Sequence, residues 1–142
     1  MPIWMRSERA DQMILIDSSA WIEFLRDTNS EVCNYVDKLL GKEIAICDVI
    51  NMEILAGARD EIHLKKLRNL MSTATILSIS SQDYEEAAFL YRTCRRNGKT
   101  VRKLVDCLIA AVAIKNDLKV LHSDIDFDLL ASETDLQIAK PT

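Results

Sequence analysis

The feature that most constrains the fold is an alternation of short, mostly apolar runs with segments of helical period. The first run, Met13–Ile16, has no polar face, which is typical of a strand buried on both sides in a parallel sheet. Similar runs follow at Ile44–Cys47, Thr75–Ile79 and Lys119–Leu121, and Leu136–Ala139 is a possible edge strand. This order predicts an α/β fold with a mostly parallel central sheet of four to five strands and helices on both faces.

Seven helices are predicted between and after these strands. They span about 19–27, 28–41, 48–58, 62–71, 82–97, 104–115 and 126–131. Thr28, with Glu31 three residues later, predicts a capping box at the start of the second helix. The helix at 104–115 is apolar nearly all round, which predicts that it is buried.

The length and composition limit the class of protein. The chain has 142 residues, enough for a single domain, which we expect at 13–142. Residues 1–12 carry charges but no apolar stretch, so we expect a disordered or artificial extension and not a signal peptide. The longest apolar run, Leu108–Ile114, is too short to cross a bilayer. The four cysteines lack zinc or CxxC spacing, which favours reduced core thiols in a cytoplasmic protein.

Four acidic residues lie where predicted elements begin or end. Asp17 follows the first strand directly, and Asp124 follows the fourth strand by two residues. Glu53 lies early in the helix that leaves the second strand, and Asp106 opens the helix that feeds the fourth. Since ligands bind beyond the carboxyl ends of parallel strands, the connectivity predicts that all four acids converge at that edge.

Each acid also has a structural explanation. Asp17 and Asp124 can cap helices, and Glu53 can be a solvated helix residue. Asp106 is harder to explain in this way, because its neighbours from Leu104 to Ile109 are all apolar. Two carboxylates 4 Å apart repel by about 4 kcal/mol at an effective dielectric constant of 20, so convergence favours a bound cation.

An oxygen-only set of ligands favours Mg²⁺ or Mn²⁺ over zinc. We interpret His122, beside Asp124, as peripheral to the cluster. Such a site fits metal-assisted hydrolysis of a phosphodiester by an activated water. The chain has neither a Gly-rich phosphate loop nor a nucleophilic serine motif, so nucleotide triphosphate and covalent chemistry have no support.

A run of basic residues precedes Asp106. It comprises Arg95, Arg96, Lys99, Arg102 and Lys103. The run is either a solvated helix end and loop or a track of phosphate contacts beside the metal. The second interpretation matters because the net charge is −4, so the surface as a whole does not attract a polyanion.

The ordered motifs resemble those of the PIN-domain proteins, and in particular their VapC branch of ribonuclease toxins. The first motif is Ile14–Trp21 around Asp17, and the second is Asn51–Ala58 around Glu53. Gly98–Arg102 leading to Asp106–Ala111 resembles the third motif, and Leu121–Asp128 around Asp124 resembles the fourth. The resemblance runs from about Met13 to the C-terminus and lies in the combination of motifs.

The resemblance implies an α/β/α sandwich that forms a homodimer and cleaves RNA with Mg²⁺ or Mn²⁺. Transfer RNA or a ribosomal RNA loop would be the substrate, and a VapB-type antitoxin would cover the active-site groove. By the same resemblance Asp126 is an accessory fifth metal ligand, and Ser19 and Ser123 orient the acids by hydrogen bonding.

Two other interpretations stay open from the residues alone. A phosphoacceptor receiver domain shares the doubly wound topology, but it requires paired acids after an early strand, and Asp17 stands alone there. A non-catalytic partner-binding protein on the same fold would not need all four acids.

Overall fold

The computed structural model describes residues 13–142, so the predicted extension at 1–12 lies outside the described residues. The strands are β1 (Ile14–Ile16), β2 (Ile44–Cys47), β3 (Thr75–Leu77), β4 (Lys119–Leu121) and β5 (Gln137–Ile138). The helices are α1 (Ser18–Leu25), α2 (Glu31–Leu39), α3 (Asp48–Ala56), α4 (Glu61–Met71), α5 (Ser81–Arg96), α6 (Leu104–Lys115) and α7 (Ile125–Glu133).

All five described strands form one parallel sheet in the order β3-β2-β1-β4-β5. In the centre, Ile14 of β1 pairs with Ile44 on one side and with Lys119 on the other. The prediction of a mostly parallel sheet is confirmed. The possible edge strand is also present, since β5 pairs with β4 through Val120 and Ile138.

The order of the strands determines where the helices lie. The chain moves outward in one direction from β1 through β2 to β3, and then in the other direction to β4 and β5. Because crossovers between parallel strands are right-handed, α1–α4 cover one face of the sheet and α5–α7 cover the other. The result is the predicted α/β/α sandwich. The direction reverses between β1 and β4, which opens a crevice at their carboxyl ends.

The core lies between the sheet and the two layers of helices. Leu15, Ile16 and Ile46 of the sheet are fully buried. Helix α6 is buried around most of its circumference from Asp106 to Ala113, which confirms the prediction from its apolar sequence. Among residues 13–142, no helix combines the length and the apolar character that a membrane span requires.

The start of α2 differs from the prediction. The helix begins at Glu31, and its N-cap is Ser30, whose side-chain oxygen accepts from the Cys33 amide at 3.0 Å. Thr28 is therefore not the cap, and the predicted capping box is wrong. Asp27 and Asn29 adopt positive φ values of 52° and 59°, so the chain makes a left-handed turn where the prediction began the helix.

The path from β3 to α6 could not be derived from the sequence. Helix α5 runs antiparallel to α6, because Asp83 near the start of α5 pairs with Lys115 at the end of α6, with 3.1 Å between Oδ2 and Nζ. The C-terminal end of α5 therefore lies near the start of α6. This arrangement brings residues 97–103, with their basic side chains, to the edge where β1 and β4 end.

Candidate metal centre

The crevice between β1 and β4 begins with Asp17. Its backbone N–H donates to the Leu121 carbonyl at 3.0 Å, which joins the ends of the two strands. Its side chain caps α1: Oδ2 accepts from the Ser19 amide at 2.9 Å and from the Ser19 hydroxyl at 2.6 Å. Burial raises the pKa of Asp17 above its usual range, although the hydrogen bonds from Ser19 act in the opposite direction.

Glu53 reaches the same edge from α3. The Ser18 hydroxyl donates to Glu53 Oε1 at 3.2 Å, which links this carboxylate to the segment that carries Asp17. The side chain is exposed but close to other site groups, and partial desolvation followed by the charge of Asp17 raises the pKa of Glu53. Glu53 therefore lies on the Asp17 side of the site.

Asp106, Asp124 and Asp126 form the most compact part of the cluster. One carboxylate oxygen from each lies within 4.8 Å of the others, close enough for a single ion to contact all three. Asp106 comes from the first turn of α6, Asp124 is the N-cap of α7, and Asp126 lies in the first turn of α7. Two helix N-termini thus meet at the end of β4, where their dipoles favour negative charge.

Asp106 is a buried acid whose pKa is strongly raised. Only 3% of the residue is exposed. Burial raises its pKa to about 7, and the charge of Asp17 is the next largest cause. Asp17 and Asp106 therefore lie near enough to repel each other. The pair formed by Asp17 and Glu53 is thus close to the group formed by Asp106, Asp124 and Asp126.

Two cations among residues 13–142 contact the cluster directly. Arg102 Nε lies 3.1 Å from Asp126 Oδ1, and its Nη2 lies 3.4 Å from Asp124 Oδ1. Lys103 Nζ lies 2.5 Å from Asp124 Oδ2. Burial acts to raise the pKa of Asp124, but the bond from Lys103, the Asp126 amide and the nearby cations together lower it below its usual range. Arg102 and Lys103 were predicted as RNA contacts, and their pairing with the acids was not foreseen.

The rest of the basic run lies further from the acids. Lys99 Nζ lies 3.0 Å from Glu133 Oε1 at the end of α7, and Asn97 Nδ2 donates to the other Glu133 oxygen at 2.8 Å. Arg96 is exposed at the end of α5. The run therefore divides into two residues within the acidic cluster and others at its rim.

The loop after β4 is held by contacts that the sequence did not reveal. The Asp124 amide donates to His122 Nδ1 at 3.0 Å, so this nitrogen carries no proton and Nε2–H donates to Asp128 Oδ1 at 3.1 Å. Both ring nitrogens of His122 are thus engaged within this loop, and the residue fixes the backbone of Asp124. Ser123 contributes its backbone N–H, which donates to Ser19 Oγ at 2.9 Å. Ser19 therefore bridges this loop and Asp17.

Buried oxygens without a partner mark the centre of the site. Among the described residues, four buried side-chain N or O atoms have no hydrogen-bond partner: Asp17 Oδ1, Asp106 Oδ2, Asp126 Oδ2 and Trp21 Nε1. Three of the four are carboxylate oxygens of the predicted metal ligands. An unpaired buried carboxylate oxygen is costly, and a hard divalent cation satisfies it. These residues therefore fit a hard divalent cation, because their donor atoms are all oxygens.

Comparisons with known proteins agree with this arrangement. The family model described as "PIN domain" matches residues 14–133. Ribonuclease VapC11 of Mycobacterium tuberculosis is 45% identical over 131 residues, which cover 89% of this chain and 98% of that protein.

Solved structures share the fold at low sequence identity. VapBC2 from Rickettsia felis, bound to a DNA fragment from its promoter, has a TM-score of 0.72 at 17% identity and covers 89% of this chain and 97% of that chain. FitAcB from Neisseria gonorrhoeae has a TM-score of 0.72 at 21% identity and covers 91% of this chain and 98% of that chain. The acids lie at the predicted edge of the predicted sheet, and the match spans nearly the whole domain. The chain belongs to the PIN-domain family, within its VapC ribonuclease branch.

Proposed function

We propose that this protein is a ribonuclease toxin that hydrolyses RNA phosphodiesters with Mg²⁺ or Mn²⁺ and is neutralised by a VapB-type antitoxin. The observation that carries the proposal is the convergence of unpaired, buried carboxylate oxygens from Asp17, Asp106 and Asp126 at the crevice between β1 and β4. Membership of the VapC branch supports the choice of RNA as substrate.

The side chains of Asp17, Asp106, Asp124 and Asp126 would hold the ion, and Glu53 would lie beside it. A bound divalent ion would polarise a phosphoryl oxygen and lower the pKa of a coordinated water. The protein keeps these carboxylates in place before the ion arrives. Ser19 fixes one oxygen of Asp17, and the amide of Asp126 fixes one oxygen of Asp124 at 3.0 Å. The carboxylates of Asp17 and Asp124 are thereby oriented with little freedom to rotate.

Glu53 is the residue best placed to receive a proton from the attacking water. Ser18 donates to Oε1 only, so Oε2 remains free to accept. The raised pKa of Glu53 brings this carboxylate closer to the range in which a general base is effective near neutral pH.

Cations at the rim would bring the RNA to an otherwise acidic protein. Arg102 and Lys103 lie at the acids themselves, and Lys99 and Arg96 extend the positive surface along the end of α5. Phosphates on either side of the scissile bond would contact these residues, which accounts for binding of a polyanion by a protein of net charge −4.

The biological setting proposed here follows the family. The substrate would be a structured cellular RNA, either a transfer RNA or a ribosomal RNA loop, which places the protein in the cytoplasm. The VapBC complexes among the structural neighbours support a VapB-type partner. The active form would be a homodimer. Residues 13–142 would make up the PIN-like domain, with residues 1–12 as an extension of it.

A cleavage assay tests the proposal. Purified protein is incubated with total RNA in the presence of Mg²⁺, Mn²⁺ or EDTA, and the new 5′ ends are sequenced. We expect discrete cleavage sites with either metal and none with EDTA. Addition of the protein encoded by a small adjacent reading frame should suppress the cleavage. Cleavage that persists in EDTA, or the absence of cleavage with both metals, would contradict the proposed function.

A further inference from the structure

Lys103 occupies an oxygen that the proposed metal site needs. Oδ1 of Asp124 already accepts from the Asp126 amide at 3.0 Å and from Arg102 at 3.4 Å. The oxygen that remains for an ion is therefore Oδ2, and this is the atom that Lys103 Nζ contacts at 2.5 Å. For Asp124 to bind a metal ion through Oδ2, the ammonium group must move away or share that oxygen.

The position of Lys103 extends its influence beyond Asp124. Its pKa is raised, first by the hydrogen bond to Asp124 and then by the charges of Asp106 and Asp17. A single ammonium group thus lies within the field of three of the proposed ligands. This is where a divalent ion would lie, so the ion and the lysine compete for the same negative charge.

The ammonium group of Lys103 can move away from Asp124 easily. Its side chain is 55% exposed, whereas that of Asp124 is 11% exposed, so the ammonium group can turn into solvent while the carboxylate stays in place. An ion pair with an exposed partner contributes little to stability, because the exposed group exchanges its partner for water at little cost. Lysine is also a flexible point charge without the planar geometry that would hold it to one carboxylate.

Arg102 provides a contrast on the same loop. It contacts Oδ1 of both Asp124 and Asp126, and Oδ2 of Asp126 is left without a partner. A metal ion can therefore bind Asp126 through Oδ2 while Arg102 remains in place. Of these two cations, Lys103 is the one that covers the remaining oxygen of its carboxylate.

We propose that Lys103 is a displaceable counter-cation of the metal centre: it neutralises the acids in the metal-free protein and is expelled from Asp124 when the ion binds. The inference rests on the proposed function, because it assumes that the acidic cluster is a metal site. Its consequence is that the metal affinity of the protein is lower than the carboxylates alone would give. The expelled ammonium group becomes free for a phosphate of the substrate.

Calorimetric titration of the RNA-free protein with Mn²⁺ tests this inference without any assay of activity. The variant Lys103→Met removes the charge and keeps most of the side-chain length. Its matched control is Lys99→Met, because Lys99 has similar exposure but pairs with Glu133 instead of the cluster. We expect Lys103→Met to bind Mn²⁺ roughly three- to fivefold more tightly than the unaltered protein, and Lys99→Met to bind it with unchanged affinity. Lys103→Arg, which retains the charge, should not tighten binding.

A second measurement follows the lysine itself. Lysine side chains are reductively methylated with ¹³C, and the Lys103 resonance is identified by its absence in Lys103→Arg. Addition of Mg²⁺ should shift this resonance towards the position of a solvated lysine, while the Lys99 resonance stays in place.

The two proposals fail in different ways. If the unaltered protein binds Mn²⁺ but Lys103→Met binds it equally or more weakly, the counter-cation inference is overturned and the metal site stands. If Mg²⁺ binds to the protein and the Lys103 resonance does not shift, the counter-cation inference is likewise overturned. If neither the unaltered protein nor Lys103→Met binds Mn²⁺, the proposed metal site itself is wrong.

Discussion

Helices α5 and α6 carry a buried carboxylate at each end of their contact, and the two carboxylates differ in almost every respect except burial. Asp83 and Asp106 are each 3% exposed. Asp83 Oδ2 accepts from the Ser80 amide at 2.8 Å and pairs with Lys115 at 3.1 Å. Asp106 Oδ2 has no partner among the described residues.

The pKa values of the two groups diverge accordingly. Burial acts to raise the pKa of Asp83, but the bonds from Ser80 and Lys115 outweigh it, and the net pKa is lower than usual. At Asp106 burial raises the pKa to about 7, and the charge of Asp17 acts in the same direction. Burial of an acid therefore does not mark a functional site by itself. A buried acid without a partner, beside other acids, does.

The largest effect expected from this difference is on RNA cleavage. Asp106→Asn removes a carboxylate that would contact the ion, so we expect the rate at saturating Mg²⁺ to fall by more than the roughly 10–100-fold typical of residues outside the first coordination sphere. Asp83→Asn alters a carboxylate that already has its own partners and should leave the rate within about twofold. Initial rates on one defined RNA measure both variants. Full cleavage by Asp106→Asn would remove this residue from the metal site.

Asp106→Asn and Asp83→Asn should change the free energy of unfolding in opposite directions in the metal-free protein at pH 8. Asp106→Asn relieves an unfavourable buried charge and should raise it by roughly 1–3 kcal/mol. Asp83→Asn removes charge-assisted hydrogen bonds and should lower it by roughly 1–3 kcal/mol. Urea denaturation in EDTA measures both changes. A loss of stability in both variants would mean that Asp106 is as well compensated as Asp83.

Most of the fold could be predicted from the sequence because the signals are local. The apolar runs predicted β2, β4 and α6 with the bounds that the structure has, since mostly apolar segments leave few alternatives. The start of α2 was mispredicted because Thr28 and Ser30 can both cap a helix, and the choice depends on the positive φ angles before Ser30.

The acids could be placed by connectivity, but their partners could not. Asp17 and Asp124 follow neighbouring parallel strands, so their positions are a consequence of topology. The pairing of Lys103 with Asp124 depends on the route of α5, which is set by packing between helices and by the contact of Asp83 with Lys115. The bond from Ser18 to Glu53 crosses between α1 and α3 and had no signal in the sequence.

The stability of the metal-free protein should depend on pH with a sign that Asp17 and Glu53 share with Asp106. The pKa value is defined best for Asp106. Its folded-state pKa, about 7, lies above its unfolded value of 3.8, so the folded protein binds more protons between these pH values. Stability from this group is therefore lost as the pH rises towards 7. We expect the free energy of unfolding to fall by about 1–2 kcal/mol between pH 5 and pH 8 and to fall less in Asp106→Asn. Thermal unfolding in EDTA at several pH values measures the trend.

Asp83 should act in the opposite sense and at lower pH. Its folded-state pKa is lowered, so its contribution is present above the unfolded value of 3.8 and is lost as the pH falls below it. Asp83→Asn should therefore leave the trend between pH 5 and pH 8 unchanged. A trend that disappears in Asp83→Asn and persists in Asp106→Asn would reverse the assignment.

The smallest expected effect is on RNA binding, and it comes from replacing the cations at the two ends of α6. Arg102 pairs with acids at the proposed active site, whereas Lys115 pairs with Asp83 at the far end. If Arg102 contacts one phosphate, Arg102→Ala should reduce the slope of log affinity against log salt by roughly 0.7–0.9, and Lys115→Gln should not change it. Binding is measured with Asp106→Asn as the background, so that the RNA stays intact. Equal slopes in both variants would mean that Arg102 pairs with the acids but does not contact a phosphate of the RNA.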